Sequence, residues 1–74
     1  MSMSDKTAGD LVRIAAAGGS LELEANKTPG DFVRIAAAIE SGGGHLTLVG
    51  ASRFTPGDMV RIASAAPGKV TFKD

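Results

Sequence analysis

The sequence predicts an α/β fold of three tandem helix–strand repeats, with a three-stranded parallel sheet, helices packed on one face and the other face exposed. The first observation is a motif of the form Thr-Pro-Gly-Asp-x-Val-Arg-Ile-Ala, which begins at Thr7, Thr28 and Thr55. The second is that a glycine-containing turn and a short alternating run of apolar and polar residues follow every copy. Repeat spacings of roughly 20–30 residues are typical of stacked supersecondary units, which bury their apolar faces against one another.

Each copy of the motif has the features of a helix start. The threonine stands in the N-cap position, where its hydroxyl accepts a hydrogen bond from a backbone N–H of the first turn. Proline follows at Pro29 and Pro56, in a position that needs no N–H, whereas the first copy has Ala8 there. The aspartate three residues after each threonine faces the positive end of the helix dipole. We therefore predict helices over residues 8–17, 29–40 and 56–66.

The spacing of the apolar residues indicates which side of each helix is buried. In the second copy, Phe32, Ile35, Ala36 and Ile39 are three or four residues apart and form one stripe. The arginine of each motif projects to the opposite side, three residues after the aspartate, where a surface ion pair can form. These arginines are Arg13, Arg34 and Arg61.

The alternating runs predict three half-buried strands, over residues 21–25, 45–50 and 69–73. The side chains expected to face the helices are Leu21, Leu23, Leu46, Leu48, Val70 and Phe72. The side chains expected to face water are Glu22, Glu24, His45, Thr47, Val49, Lys69, Thr71 and Lys73. The glycines at 42–44 predict a longer and mobile connection between the second helix and its strand.

The connections between the strands and the following helices are short, which favours right-handed crossovers and therefore parallel strands. The simplest strand order is 1-2-3, with all three helices on one face. The order 2-1-3 stays open at this point, since it places the acidic first strand beside the basic third strand. Strands of a parallel sheet that is covered on both faces are apolar throughout, so the alternation seen here predicts a bare, polar sheet face.

The repeated T-P-G-D-x-V-R-I-A helix units, each followed by a glycine turn and a strand, resemble a group of small, uncharacterised bacterial proteins. The resemblance extends from Thr7 to Lys73 and departs from the pattern at Ala8. It implies an architecture of stacked helix–strand units. It implies no activity and no functional residue.

Composition and length bound the remaining possibilities. A chain of 74 residues predicts one domain over residues 7–74, preceded by a disordered segment over residues 1–6. The absence of cysteine excludes disulfides and thiolate metal sites. The N-terminal residues lack the apolar region of a signal peptide, and no apolar run approaches the ~20 residues of a membrane span. We therefore expect a cytoplasmic protein without membrane contact.

The residues with catalytic potential have a simpler structural explanation. Capping accounts for the repeated aspartates and for their distance from the threonines, whereas acid–base catalysis requires carboxylates in different environments. The single histidine, His45, has no cysteine or second histidine with which to form a metal site. We expect no enzymatic activity and no cofactor. The aspartates concerned are Asp10, Asp31 and Asp58.

We expect a small non-enzymatic interaction or structural module that uses its exposed sheet face or its strand edges. The partner is another protein or a second copy in head-to-tail contact, because the first strand is acidic and the third is basic. The alternative is weak nucleic-acid or phosphate binding through the three helix arginines. The absence of Trp and Tyr and the balance of 8 basic and 8 acidic residues argue against nucleic acid.

Phe54 is the one aromatic residue outside the apolar stripes. It directly precedes the threonine cap of the third motif, so we predict that it packs against Met59 as a hydrophobic staple. The alternative is an exposed aromatic anchor for a partner.

Overall fold

Helices and strands alternate along the chain in the order expected from the repeats. The structure is a computed structural model that describes residues 6–74. The segment 1–6, expected to be disordered, lies outside the described residues except for Lys6. The elements are α1 (Ala8–Ala16), β1 (Leu21–Glu24), α2 (Pro29–Gly42), β2 (Leu46–Val49), a 3₁₀ helix (Ala51–Arg53), α3 (Pro56–Ala65) and β3 (Val70–Lys73).

The three helices begin at the predicted caps. The backbone N–H of Asp31 donates to Thr28 Oγ1 at 3.3 Å, and the equivalent bonds in the other two units measure 3.2 Å. Each threonine has extended backbone angles, as an N-cap requires. The capping prediction is confirmed in all three units.

The sheet contains three parallel strands in the order β1-β2-β3, which confirms the simplest order and excludes 2-1-3. Leu21, Leu46 and Val70 are aligned across the sheet, on the side covered by the helices. The next inward row follows two residues later, at Leu23, Leu48 and Phe72. The helices lie side by side in chain order, so each unit packs mainly against its neighbours.

The core is centred on the second unit, because that unit has a neighbour on both sides. Phe32, Ile35 and Ile39 of α2 are fully buried, as are Leu46 and Leu48 of β2. The inward residues of β3 are only half-buried, since β3 lies at the edge of the sheet. The apolar cover is therefore unevenly distributed along the stack of units.

The glycines at 42–44 do not form the long mobile loop expected from the sequence. The helix α2 continues through Gly42, and Gly43 adopts a left-handed conformation with φ of 85° and donates its N–H to the carbonyl of Ile39. The connection to β2 is only three residues long, whereas α1 and α3 are followed by four. Gly42 and Gly44 lie against the backbone of the first unit, where a β-carbon on either would overlap a carbonyl oxygen.

Phe54 follows the 3₁₀ helix, which the sequence did not predict. Its ring packs edge-on against Phe32, with a centroid separation of 5.6 Å and an interplanar angle of 64°. Both Phe54 and Met59 are partly buried against the core. The alternative of an exposed aromatic anchor is therefore wrong, and the ring closes one end of the core.

Candidate interaction surfaces

The face of the sheet opposite the helices carries two rows of outward side chains, which we call the open sheet face. The strand register aligns one row across Glu22, Thr47 and Thr71 and a second row across Glu24, Val49 and Lys73. The outward residues of the edge strands are exposed, and the two on β2 are half-buried.

Charge is distributed unequally across this face. The carboxylates of Glu22 and Glu24 lie on β1, at one edge, and the ammonium of Lys73 lies on β3, at the other. Thr47 and Val49 separate them as a neutral centre. The open sheet face is consequently acidic at one edge and basic at the other, as the sequence predicted.

His45 connects the three strands at their amino-terminal ends. Its backbone N–H donates to Ser20 Oγ at 3.1 Å, and its Nε2 lies 2.8 Å from Thr71 Oγ1. The ring therefore lies beside β3. This cross-strand hydrogen bond gives the histidine a structural role at the edge of the open sheet face.

Lys69 differs from the other residues expected to face water. Its Nζ lies 2.6 Å from Oε1 and 3.3 Å from Oε2 of Glu40, on α2. The side chain thus joins the start of the third strand to the helix layer. The basic character of β3 on the open sheet face therefore depends on Lys73.

The three helix arginines are all exposed on the outer surface of the helix layer. Arg34 lies 3.8 Å from Asp31, and Arg61 lies 3.4 Å from Asp58, as the spacing predicted. Within residues 6–74, Asp10 and Arg13 form no such pair. Since a carboxylate accompanies two of the three guanidinium groups, the arginine row presents a mixed rather than a purely positive surface.

The surface of the described chain includes shallow grooves, three of which involve residues of the end units or the strand ends. The largest has a volume of about 490 Å³ and is lined by Lys6, Asp10, Arg13, Ile14 and Ala17. A groove of about 320 Å³ lies at the carboxyl ends of β1 and β2. A third of about 290 Å³ lies between the 3₁₀ helix, α3 and the end of β3.

Arg53 is a residue that sequence reasoning missed. It lies in the 3₁₀ helix and lines the groove at the ends of β1 and β2. Its Nη1 donates to the carbonyl oxygen of Ala25 at 2.9 Å, which ties the end of β1 to the connection before α3. Nothing in the local sequence distinguishes this arginine from a solvated loop residue.

Residues 6–74 hold no group of three or more histidine or acidic side chains arranged to bind a metal ion. None of the helices among these residues has the length and apolar character needed to cross a bilayer.

Comparison with known proteins found no match to a family model, to a curated protein or to a solved structure.

Proposed function

We propose that the protein is a non-enzymatic interaction module whose open sheet face receives another protein. The observation that supports this proposal is the in-register arrangement of two outward rows that both begin with a glutamate on β1, one ending at Thr71 and the other at Lys73 on β3, so that the face is acidic at one edge and basic at the other. The complementary partner is a protein surface that is basic where it meets β1 and acidic where it meets β3. Opposed charges of this kind determine the orientation of a partner and suppress incorrect ones.

The shape of the surface favours a protein over a small molecule. Small-molecule sites are enclosed pockets, mostly apolar, with a few polar groups directed inward. The open sheet face instead has a row of small, neutral side chains at its centre, with charges at its borders. A broad surface of another protein makes more contacts with such a face than a compact ligand does.

The alternative proposal, weak nucleic-acid or phosphate binding, uses Arg13, Arg34 and Arg61. The aspartates beside Arg34 and Arg61 argue against this alternative, because their negative charges oppose the approach of phosphate. Retention of labelled single-stranded RNA and duplex DNA at low and high salt tests it. Loss of salt-dependent binding on replacing the three arginines by glutamine is the result that favours it over the sheet-face proposal.

The sheet-face proposal is tested with two matched arginine substitutions. Thr47→Arg places a large cation at the centre of the open sheet face, and Ala37→Arg places the same group at an exposed position of α2. Proteins captured from a lysate of the source cells are identified, purified and titrated against each variant by calorimetry. We expect Thr47→Arg to raise the dissociation constant at least about tenfold, which corresponds to a loss of about 1.4 kcal/mol of binding free energy.

The control variant makes the test decisive. We expect Ala37→Arg to bind with the affinity of the wild type. Binding that withstands Thr47→Arg, or that is lost equally in both variants, contradicts the assignment of the open sheet face. The cytoplasmic location expected from the sequence stays a prediction, which fluorescence microscopy of the tagged protein in the source cells tests.

A further inference from the structure

Equivalent valines in the three motifs differ in how well they are covered. Val12 and Val33 are half-buried, whereas Val60 is 63% exposed and is the exposed large apolar residue of the described chain. Each occupies the same position in its helix, five residues after the capping threonine. Among residues 6–74, α1 and α2 each have a following helix beside them and α3 has none, which accounts for the difference.

On the opposite side of the helices, the first unit is the one whose apolar residues are least buried. Ile35 and Ile62 are fully buried, whereas the equivalent Ile14 in the first unit is only half-buried. Ala38 is 9% exposed, and the equivalent Ala17 is exposed. Here the first unit lacks cover, because among residues 6–74 α1 has a neighbouring helix only on the side of α2.

The groove of about 490 Å³ marks this uncovered side of the first unit. Its lining residues all belong to α1 or directly flank it, and they include Ile14 and Ala17. At the other end of the molecule, the groove of about 290 Å³ is lined in part by Met59 and Phe72 of the third unit. Each end of the stack therefore combines an apolar side chain with a concave surface.

The two ends correspond to the two sides of the contact that already repeats inside the molecule. On α1, the exposed side is the one that α2 and α3 bury against the preceding helix. On α3, the exposed side is the one that α1 and α2 bury against the following helix. Repeat proteins normally close their ends with modified, polar capping units. In this chain, both terminal motifs keep the valine and isoleucine of the middle motif, as Val12 and Ile14 and as Val60 and Ile62.

We propose that a second copy of this chain stacks head-to-tail on the first, with its α1 against α3 and its β1 beside β3. The sheet and the helix layer then both continue across the junction. This contact joins the two edges of the sheet and leaves the open sheet face accessible in the stack. It is heterologous, so it closes a ring or extends into a filament.

The strand edges fit this arrangement. Continuing the register that relates β1 to β2 and β2 to β3 places Val70 beside Leu21 of the next copy and Lys73 beside Glu24 of the next copy. Opposite charges directly across a strand pair stabilise the pairing. A two-fold contact between equal edges instead brings glutamate to glutamate or lysine to lysine, which disfavours the symmetric dimer.

The lengths of the helices are also compatible with the junction. α1 and α3 contain 9 and 10 residues, whereas α2 contains 14. The additional turn of α2 brings Gly42 onto the loop that follows α1. At the new junction the following helix is the short α1, just as the short α3 follows α2 inside the molecule. The contact between α2 and α3 is therefore the internal model for the junction.

The test uses one glutamate substitution at each end of the stack. Val60→Glu places a charge on the open side of the third unit, and Ala17→Glu places one on the open side of the first. Both positions are exposed, so each variant is expected to keep the fold, which circular dichroism checks. Ala37→Glu is the matched control, since Ala37 is exposed on α2 away from both ends.

Sedimentation velocity over a concentration series is the measurement. We expect the wild type and Ala37→Glu to form species larger than a dimer, and each end variant alone to remain monomeric. An equimolar mixture of Val60→Glu and Ala17→Glu retains one intact pair of ends. We therefore expect this mixture to form a 1:1 dimer that does not grow further.

The mixture distinguishes the proposal from other outcomes. Association in the mixture requires folded chains, so it shows that the single variants are monomeric because one end is blocked. A wild type that stays monomeric at every concentration overturns the proposal. A wild type that stops at a dimer, or a mixture that does not associate, also overturns it.

Discussion

Gly42, in the last turn of α2, lies directly against the carbonyl oxygen of Ala15 in α1. A β-carbon at residue 42 would overlap this oxygen and would approach the backbone nitrogen of Gly18 to 2.9 Å. Only glycine allows two backbones to come this close. The first two units are therefore joined through main-chain packing as well as through the apolar core.

Gly42→Ala is expected to destabilise the protein by about 1–3 kcal/mol, as overpacking in a fixed environment does. The loss opposes the gain in helix propensity, which by itself favours alanine by about 1 kcal/mol. Urea unfolding followed by circular dichroism measures the difference. An unchanged or higher midpoint contradicts the close contact and indicates that the end of α2 is not held against α1.

Gly30→Ala is the matched substitution with the opposite expected sign. Gly30 lies in the first turn of α2, and the nearest atom to its added β-carbon is Thr28 Oγ1 at 4.0 Å, an ordinary contact. Alanine there restricts the unfolded chain, so we expect a stabilisation of about 0.4–1 kcal/mol. A loss of stability in the same urea experiment shows that Gly30 meets a requirement other than space.

The contrast between these glycines shows what the sequence can and cannot predict. Apolar periodicity and threonine caps are local signals, and they predicted the helices, the strands and the outward row of Glu22, Thr47 and Thr71. The packing of Gly42 against α1 depends on residues far apart in the chain, so it left no periodic signal. The glycine run therefore suggested a flexible loop.

Contacts of charged residues were likewise predictable within one helix and not between units. The pair of Asp31 and Arg34 lies within one helical turn and was predicted from its spacing. The contact of Lys69 with Glu40 and that of Arg53 with Ala25 join different units, and their partners become clear only when the fold brings them together. The polarity of the open sheet face was predictable because each edge strand carries its own charge.

Phe54→Ala is expected to lower the stability by about 2–3 kcal/mol, somewhat less than the loss for a fully buried aromatic residue. The ring is partly buried and packs edge-on against Phe32, so alanine leaves one end of the core uncovered. Phe54→Leu is the control, since it keeps apolar volume but removes an aromatic pair worth about 0.5–1.5 kcal/mol. Thermal unfolding of both variants gives the comparison, and equal losses contradict a specific contribution of the ring pair.

The ion pair between Glu40 and Lys69 offers a test of how the helix layer is attached to the third strand. The two side chains are 40% and 35% exposed, so water screens their attraction and we expect a coupling of about 0.2–1 kcal/mol. A double-mutant cycle with Glu40→Gln and Lys69→Met isolates this coupling from the effects of each substitution alone. Raising the salt concentration is expected to reduce it, because exposed charges are screened. A coupling that is zero at low salt contradicts a stabilising role and leaves the apolar contacts between the second and third units as their connection.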